Sequence, residues 1–174
     1  MLVAAVATAP SPVHAQGHPQ TRDGFFIGVG GGPGSFGCEG CGDRETGIAG
    51  HLKLGGTVRS DMLLGFEANG WTKERGGARL TQSNASAIVQ YYPAATGGFF
   101  LKAGVGISVI EASASAGTFT VTKSDRGLGL TGGLGYDVRV ASNISVSPYA
   151  MLAWGNIEDG GANNGQIGIG VTWH

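Results

Sequence analysis

A membrane helix needs roughly 18 or more consecutive apolar residues, and no run in this 174-residue chain approaches that length. Charge is scarce too: Asp, Glu, Lys and Arg make up 13% of the chain, with a formal net charge of −1. Such a balance offers no footing for nucleic acid or for a strongly anionic surface. There are only 6 prolines, and the 34 glycines follow no G-X-Y period, which excludes a collagen helix and a proline-rich low-complexity chain. The only cysteines are Cys38 and Cys41, too few for a four-ligand zinc site on their own.

What the chain does have is alternation. In 101–109, Leu101, Ala103, Val105, Ile107 and Val109 share one face, and Lys102, Gly104, Gly106 and Ser108 the other. In 128–140, Leu128, Leu130, Leu134, Tyr136, Val138 and Val140 oppose Gly129, Thr131, Gly133, Gly135, Asp137 and Arg139. Near the end, Ile167, Ile169, Val171 and Trp173 oppose Gln166, Gly168, Gly170 and Thr172. Period two with one apolar face means β-strands. Glycine on a water-facing side would weaken a soluble sheet, because it costs backbone entropy and packs nothing. In a narrow membrane barrel the faces invert: apolar side chains meet lipid, and inward glycine makes room for a few long side chains.

Eight strands can be placed, at 24–34, 46–58, 62–74, 80–92, 99–112, 126–140, 144–155 and 165–173. Strand 80–92 has the weakest lipid face, built from Thr81, Ser83, Ala85 and Ala87. Connections after the second, fourth and sixth strands are short, whereas 35–45, 75–79, 113–125 and 156–164 carry glycines or charges. Short turns at one rim and longer loops at the other match the periplasmic and extracellular ends of such barrels. Parity assigns His51, Lys53, Glu67, Asn69, Asn84, Gln90, Lys102, Asp137 and Arg139 to the interior. Of these, Lys53, Lys102 and Arg139 face Glu67 and Asp137, a nearly balanced set suited to a salt-bridged filling rather than an ion-selective pore. Phe25, Phe66, Trp71, Tyr91, Phe99, Tyr136, Trp154 and Trp173 fall near strand ends, where interfacial aromatic girdles lie.

The N-terminus divides in two. Residues 1–15 read as a signal peptide, with Leu2 to Ala9 as the apolar core and Val13-His14-Ala15 before the cleavage point. No Lys or Arg precedes the apolar run, so this segment could be truncated at its start. Residues 16–23 read as a flexible leader and 24–174 as the barrel domain.

The ending Gln166-Ile167-Gly168-Ile169-Gly170-Val171-Thr172-Trp173 is similar to the C-terminal assembly signal of outer-membrane barrels, with Gln166, Gly168, Val171 and Trp173 at its defining positions. His174 follows, where most such proteins stop at the aromatic. With the signal segment and the strand count, the chain resembles the small eight-stranded outer-membrane barrels of the OmpX, OmpA transmembrane-domain and OmpW type. The resemblance implies an all-β, eight-stranded antiparallel up-and-down transmembrane β-barrel in the bacterial outer membrane. It further implies a monomer partnered by the lipid bilayer and, during insertion, by the outer-membrane assembly machinery.

Three motifs compete with plainer readings. Cys38 and Cys41 form a C-x-x-C without the βαβ context of a redox motif. An oxidising compartment favours a local disulfide, with metal binding, redox chemistry and free thiols as alternatives. Gly127, Gly129 and Gly132 match a dinucleotide fingerprint by letter but lie within a strand, without the helix that motif requires. Some related barrels modify lipid A with a serine–histidine pair on the outer rim. Here His14, His18 and His174 lie at the termini and His51 faces inward, so no catalytic residue is assigned. No cofactor or metal is expected, and no enzyme activity. The expected role is structural or surface-interacting, without an open pore. The alternatives are a soluble lipocalin-like carrier of a small hydrophobic ligand, or OmpW-like lateral passage of small hydrophobic molecules.

Overall fold

A computed structural model describes residues 20, 22–116, 119–157 and 160–174; the expected signal peptide lies outside them. The strands are β1 (Phe25–Cys38), β2 (Glu45–Arg59), β3 (Met62–Arg75), β4 (Ala78–Tyr91), β5 (Phe99–Ala116), β6 (Phe119–Tyr136), β7 (Val138–Ala141), β8 (Ile144–Ile157) and β9 (Gly160–Trp173). Each pairs antiparallel with its neighbours, and β1 also pairs with β9. Both β6 and β7 pair with β8, so they are two parts of one wall strand interrupted at Asp137. The result is a closed eight-stranded antiparallel barrel.

The strands run further than alternation alone indicates. Pairing of β5 with β6 continues to Ala116↔Phe119, and β8 with β9 to Ile157↔Gly160, so much of 113–125 and 156–164 is strand rather than loop. Outside lipid the outward face no longer has to be apolar, so the alternation fades while the hydrogen-bond ladder persists. Between β3 and β4, Gly76 and Gly77 have φ of 58° and 81°. Two successive positive angles make the two-residue hairpin turn that suits strand twist, and glycine adopts it without a steric cost.

The two faces divide as parity requires. Val105 and Ile107 are 53% and 58% exposed on the wall, while Lys102 and Ser108 on the same strand are buried. Inward glycines stand across the ladder from long side chains: Gly28 opposes Lys53 and Gly30 opposes His51. A Cβ on Gly28 would come within 2.8 Å of Lys53 Cε, and one on Gly30 within 2.5 Å of His51 Cε1. These glycines are the space that the long residues occupy.

Both ends of the interior are apolar. At the end carrying the termini, Phe26, Leu63, Tyr92, Phe100, Tyr149 and Met151 pack together. At the opposite, hairpin-bearing rim, Phe36, Ala49, Trp71 and Ala162 form a second cluster. Trp71 is therefore no member of the outer aromatic girdle. It is 1% exposed, stacked 4.9 Å from Phe36, and its Nε1 donates to the Gly34 carbonyl at 3.2 Å. The other seven aromatics named for the girdle point outward.

Candidate functional site

The polar interior starts between these two clusters and, at the end with the termini, interleaves with the apolar one through Tyr92. Every residue that parity assigned inward is buried: His51, Lys53, Glu67, Asn69, Asn84, Gln90, Lys102, Asp137 and Arg139. They form two layers. In the first, Lys102 Nζ donates to and pairs with Glu67 Oε2 across β4. Asn69 Nδ2 donates to Glu67 Oε1 and to Thr131 Oγ1, both at 3.2 Å, and Asn84 Nδ2 donates to Asn69 Oδ1 at 3.3 Å. His51 stands edge-on to the Tyr149 ring at 4.7 Å, and Tyr149 OH donates to Gln166 Oε1 at 3.3 Å.

The second layer is a relay toward the end with the termini. Lys53 Nζ donates to Gln90 Oε1 at 3.0 Å, and Gln90 Nε2 donates to Tyr92 OH. Tyr92 OH in turn donates to Asp137 Oδ2 at 2.7 Å, and Ser147 Oγ donates to Asp137 Oδ1 at 2.5 Å. Burial first, then the Asp137 carboxylate, pushes the Tyr92 phenol well above its usual range, so it stays protonated and donating. The break between β6 and β7 falls at Asp137. Its N–H donates to the Gly98 carbonyl at 2.8 Å, one step beyond the Phe99↔Tyr136 pair, while its carboxylate organises this layer.

Two residues of the expected flexible leader belong to this layer. Gln20 Nε2 donates to the Asp137 carbonyl at 2.8 Å. Arg22 lies 3.4 Å over the Tyr92 ring and donates to the carbonyls of Ala95 and Gly97 at 3.0 and 2.6 Å. Both side chains are buried, so these two residues are held against the mouth of the barrel. Arg22 adds a fourth firm cation against the two interior carboxylates. His174, beyond the assembly-like ending, sits over the same mouth with its ring 6.5 Å from Phe26. Burial, then the Arg139 charge, lowers its imidazole pKa to about 4, leaving it neutral at pH 7. Of the ending itself, Gln166 points inward and Trp173 outward.

Tyr92, Gln82, Asn164 and Ser147 were not among the residues assigned inward, although all are buried, and Gln82 and Tyr92 share the parity of Asn84 and Gln90. Adjacent aromatics carry a usable signal. In Phe25-Phe26, Tyr91-Tyr92 and Phe99-Phe100 one ring of each pair must face inward, and it is the second every time.

At the hairpin rim the ladder continues above Trp71 into a cup of about 490 Å³ lined by Glu45, Lys73, Leu80, Ala112, Ala114 and Val121 among others. Most of its cations are matched in place: Lys73 pairs with Glu45, Arg79 with Glu74 at 2.8 Å and Lys123 with Asp125 at 3.4 Å, while Arg75 also lines the cup. Arg44 ties the first loop to the wall, donating to the Ser35 carbonyl at 2.8 Å and to Asn163 Oδ1 at 2.7 Å. In that loop Cys38 and Cys41 lie at disulfide distance, Cα–Cα 5.2 Å. Alkylation without reductant is expected to leave both cysteines unmodified in protein taken from membranes. Rapid labelling of both would restore the metal or redox reading. A ring closed over so short a segment stabilises little, so reduction should change loop protease sensitivity more than barrel stability.

A closed wall, a polar filled interior and an apolar outer belt define an eight-stranded barrel of the transmembrane kind. No family model matches the chain, and neither does any curated protein. Solved structures do. The Ail attachment invasion locus protein of Yersinia pestis, in complex with the heparin analogue sucrose octasulfate, has a TM-score of 0.67 and 13% identity, covering 87% of this chain and 99% of that one. Neisserial surface protein A gives 0.61 and 16%, covering 86% and 96%. The outer membrane protein OprG from Pseudomonas aeruginosa gives 0.53 and 15%, covering 89% and 99%. The fold is that of the small eight-stranded outer-membrane barrels.

Proposed function

We propose that this protein is an integral outer-membrane barrel with a permanently filled interior, acting through envelope structure or contacts at its hairpin rim and not by passing solutes. The observation that carries the reading is the inversion of faces. Leu52, Leu54, Phe66, Val105, Leu130 and Ile169 point away from the barrel, while the charged layers lie inside it. A soluble lipocalin-like carrier needs the reverse, with the apolar faces lining a cavity, and the geometry gives that alternative no support. Lateral passage would need an opening in the wall. At the β1–β9 seam, Gly32 and Pro33 fall between ladder pairs, yet the strands stay in close approach: a Cβ on Gly32 would sit 2.1 Å from the Ile167 carbonyl.

The sulfated sugar bound by Ail does not transfer readily. Such a ligand requires unpaired cations gathered together, and of the cations lining the rim cup Lys73, Arg79 and Lys123 have carboxylate partners, which leaves Arg75 rather than a cluster. The rim cup is the better candidate for a contact surface, with Trp71 as its floor.

Spin labels test the placement. Labels at 103, 105 and 107 are expected to be accessible to oxygen dissolved in lipid, and labels at 104 and 106 are not. Equal accessibility at odd and even positions would sink the membrane reading. In planar bilayers the purified protein should show no steady, nanosiemens-scale conductance, because eight strands leave room only for side chains. Rare flickering events fit brief loosening of the filling. A voltage-tolerant open state would refute the filled interior.

A further inference from the structure

The mouth of the barrel at the end with the termini holds a constellation that the wall itself does not require. The turn between β4 and β5 is closed by Gly97 N–H donating to the Ala94 carbonyl at 2.8 Å. That bond uses neither the Ala95 nor the Gly97 carbonyl. Both are taken by one side chain: Arg22 Nη1 donates to Ala95 at 3.0 Å and Nη2 to Gly97 at 2.6 Å. The guanidinium carbon lies 3.4 Å from the centre of the Tyr92 ring, a contact with no room for water between.

Tyr92 OH in turn donates to Asp137 Oδ2 at 2.7 Å. Drawing a phenol proton toward a carboxylate enriches the ring, and the face of an electron-rich ring attracts a cation. Gln20 completes the pocket. Its Oε1 accepts from Arg22 Nη2 at 3.3 Å, and its Nε2 donates to the Asp137 carbonyl at 2.8 Å. Gly98 makes room for that carbonyl, since a Cβ there would collide with it.

The pocket selects the shape of its occupant. An ammonium is a point charge and cannot cover a ring while reaching two separate carbonyls. A guanidinium is flat and carries its donors in a fixed fork. Arg139 repels Arg22 and is attracted to Asp137, so charge alone does not hold Arg22 in place. Arg22 Nε has no hydrogen-bond partner; the hold lies in the ring and the two terminal nitrogens, which every simple guanidinium possesses. Arg22 and Gln20 are 5% and 6% exposed, and Tyr92 and Asp137 beneath them are fully buried.

We propose that this mouth carries a guanidinium-binding site, filled in cis by Arg22, and that filling it seals Tyr92 and Asp137 from the aqueous side. The Glu67–Lys102 layer lies deeper and stays packed whether the site is full or empty.

The test follows amide hydrogen exchange by NMR in the full chain refolded in detergent. The Tyr92 and Asp137 amides donate to the Asp61 and Gly98 carbonyls. In Arg22→Ala their exchange is expected to quicken by about tenfold or more, as a local opening requires. Millimolar ethylguanidinium should slow both again in a saturable way, and ethylammonium, of equal charge, should not. Amides flanking Glu67 and Lys102 should keep their rates throughout. In the unsubstituted chain, a readout that needs no variant to fold, one arginine should show guanidinium protons shifted upfield by the Tyr92 ring current. Unchanged exchange in Arg22→Ala overturns the seal, as does a general quickening that includes the amides beside Glu67. Failure of ethylguanidinium to rescue, equal rescue by ethylammonium, or the absence of any ring-shifted arginine overturns the guanidinium site.

Discussion

Replacing Glu67 by Ala is expected to cost about 3–5 kcal/mol of barrel stability, the range for removing one partner of a buried ion pair. The loss should appear as incomplete refolding, read by the shift in gel migration between heated and unheated samples. Glu67 and Lys102 have side chains 0% and 5% exposed, so neither can turn to water when the other is gone. Glu67 also orients Asn69, which is bonded to Thr131 and receives Asn84, so four wall strands lose a common partner. The double variant Glu67→Ala with Lys102→Met should recover much of the loss, since it removes the stranded charge and leaves an apolar side chain of similar length. If the single change costs less than about 1 kcal/mol and the double recovers nothing, the pair is no structural bolt.

The sequence made this pair visible for a simple reason. In a strand, facing is settled by parity, and Lys102 sits among Leu101, Ala103 and Val105, all of which alternate with it. Once one residue is assigned, the others follow. The glycines were legible by the same route, since Gly28 and Gly30 alternate with Ile27 and Val29 and then turn out to stand opposite Lys53 and His51. Parity failed where both faces are apolar. Met62-Leu63-Leu64 and the doubled aromatics carry no alternation, because both ends of the interior are plugged with hydrophobic side chains. Trp71 was misplaced although parity was right: its position near a strand end suggested the girdle, whereas its parity with Glu67 and Asn69 pointed inward.

Strand ends failed for a different reason. Alternation records contact with lipid, not hydrogen bonding. Above the membrane the outward face of β5 and β6 carries Glu111, Ser113, Thr122 and Ser124, so the pattern dissolves while the register runs on unbroken. The holding of Gln20 and Arg22 had no local signal at all. It depends on Tyr92, Ala95, Gly97 and Asp137, which are distant in sequence and meet only when the barrel closes.

Placing Arg at Val105 should destabilise the inserted barrel by about 2–4 kcal/mol, the cost measured for basic residues on the lipid face near the midplane. Val105 lies between Ala87 and Leu130 on the ladder, with Leu101 and Ile107 on the same outward stripe, so no neighbour offers a charge or an acceptor. Its long side chain could relieve part of the cost by reaching toward the interface, which places the result toward the lower end of the range. Arg at Gly104 is the matched control one position away. Its side chain would enter the interior, where even a Cβ stands 2.8 Å from the Ala87 carbonyl and from Ile88 Cγ2. That variant should fail by crowding, in detergent as much as in lipid, whereas the Val105 variant should be markedly less impaired in detergent, where the micelle deforms around a charge. Equal losses in both media for Val105→Arg would mean that the residue does not face lipid.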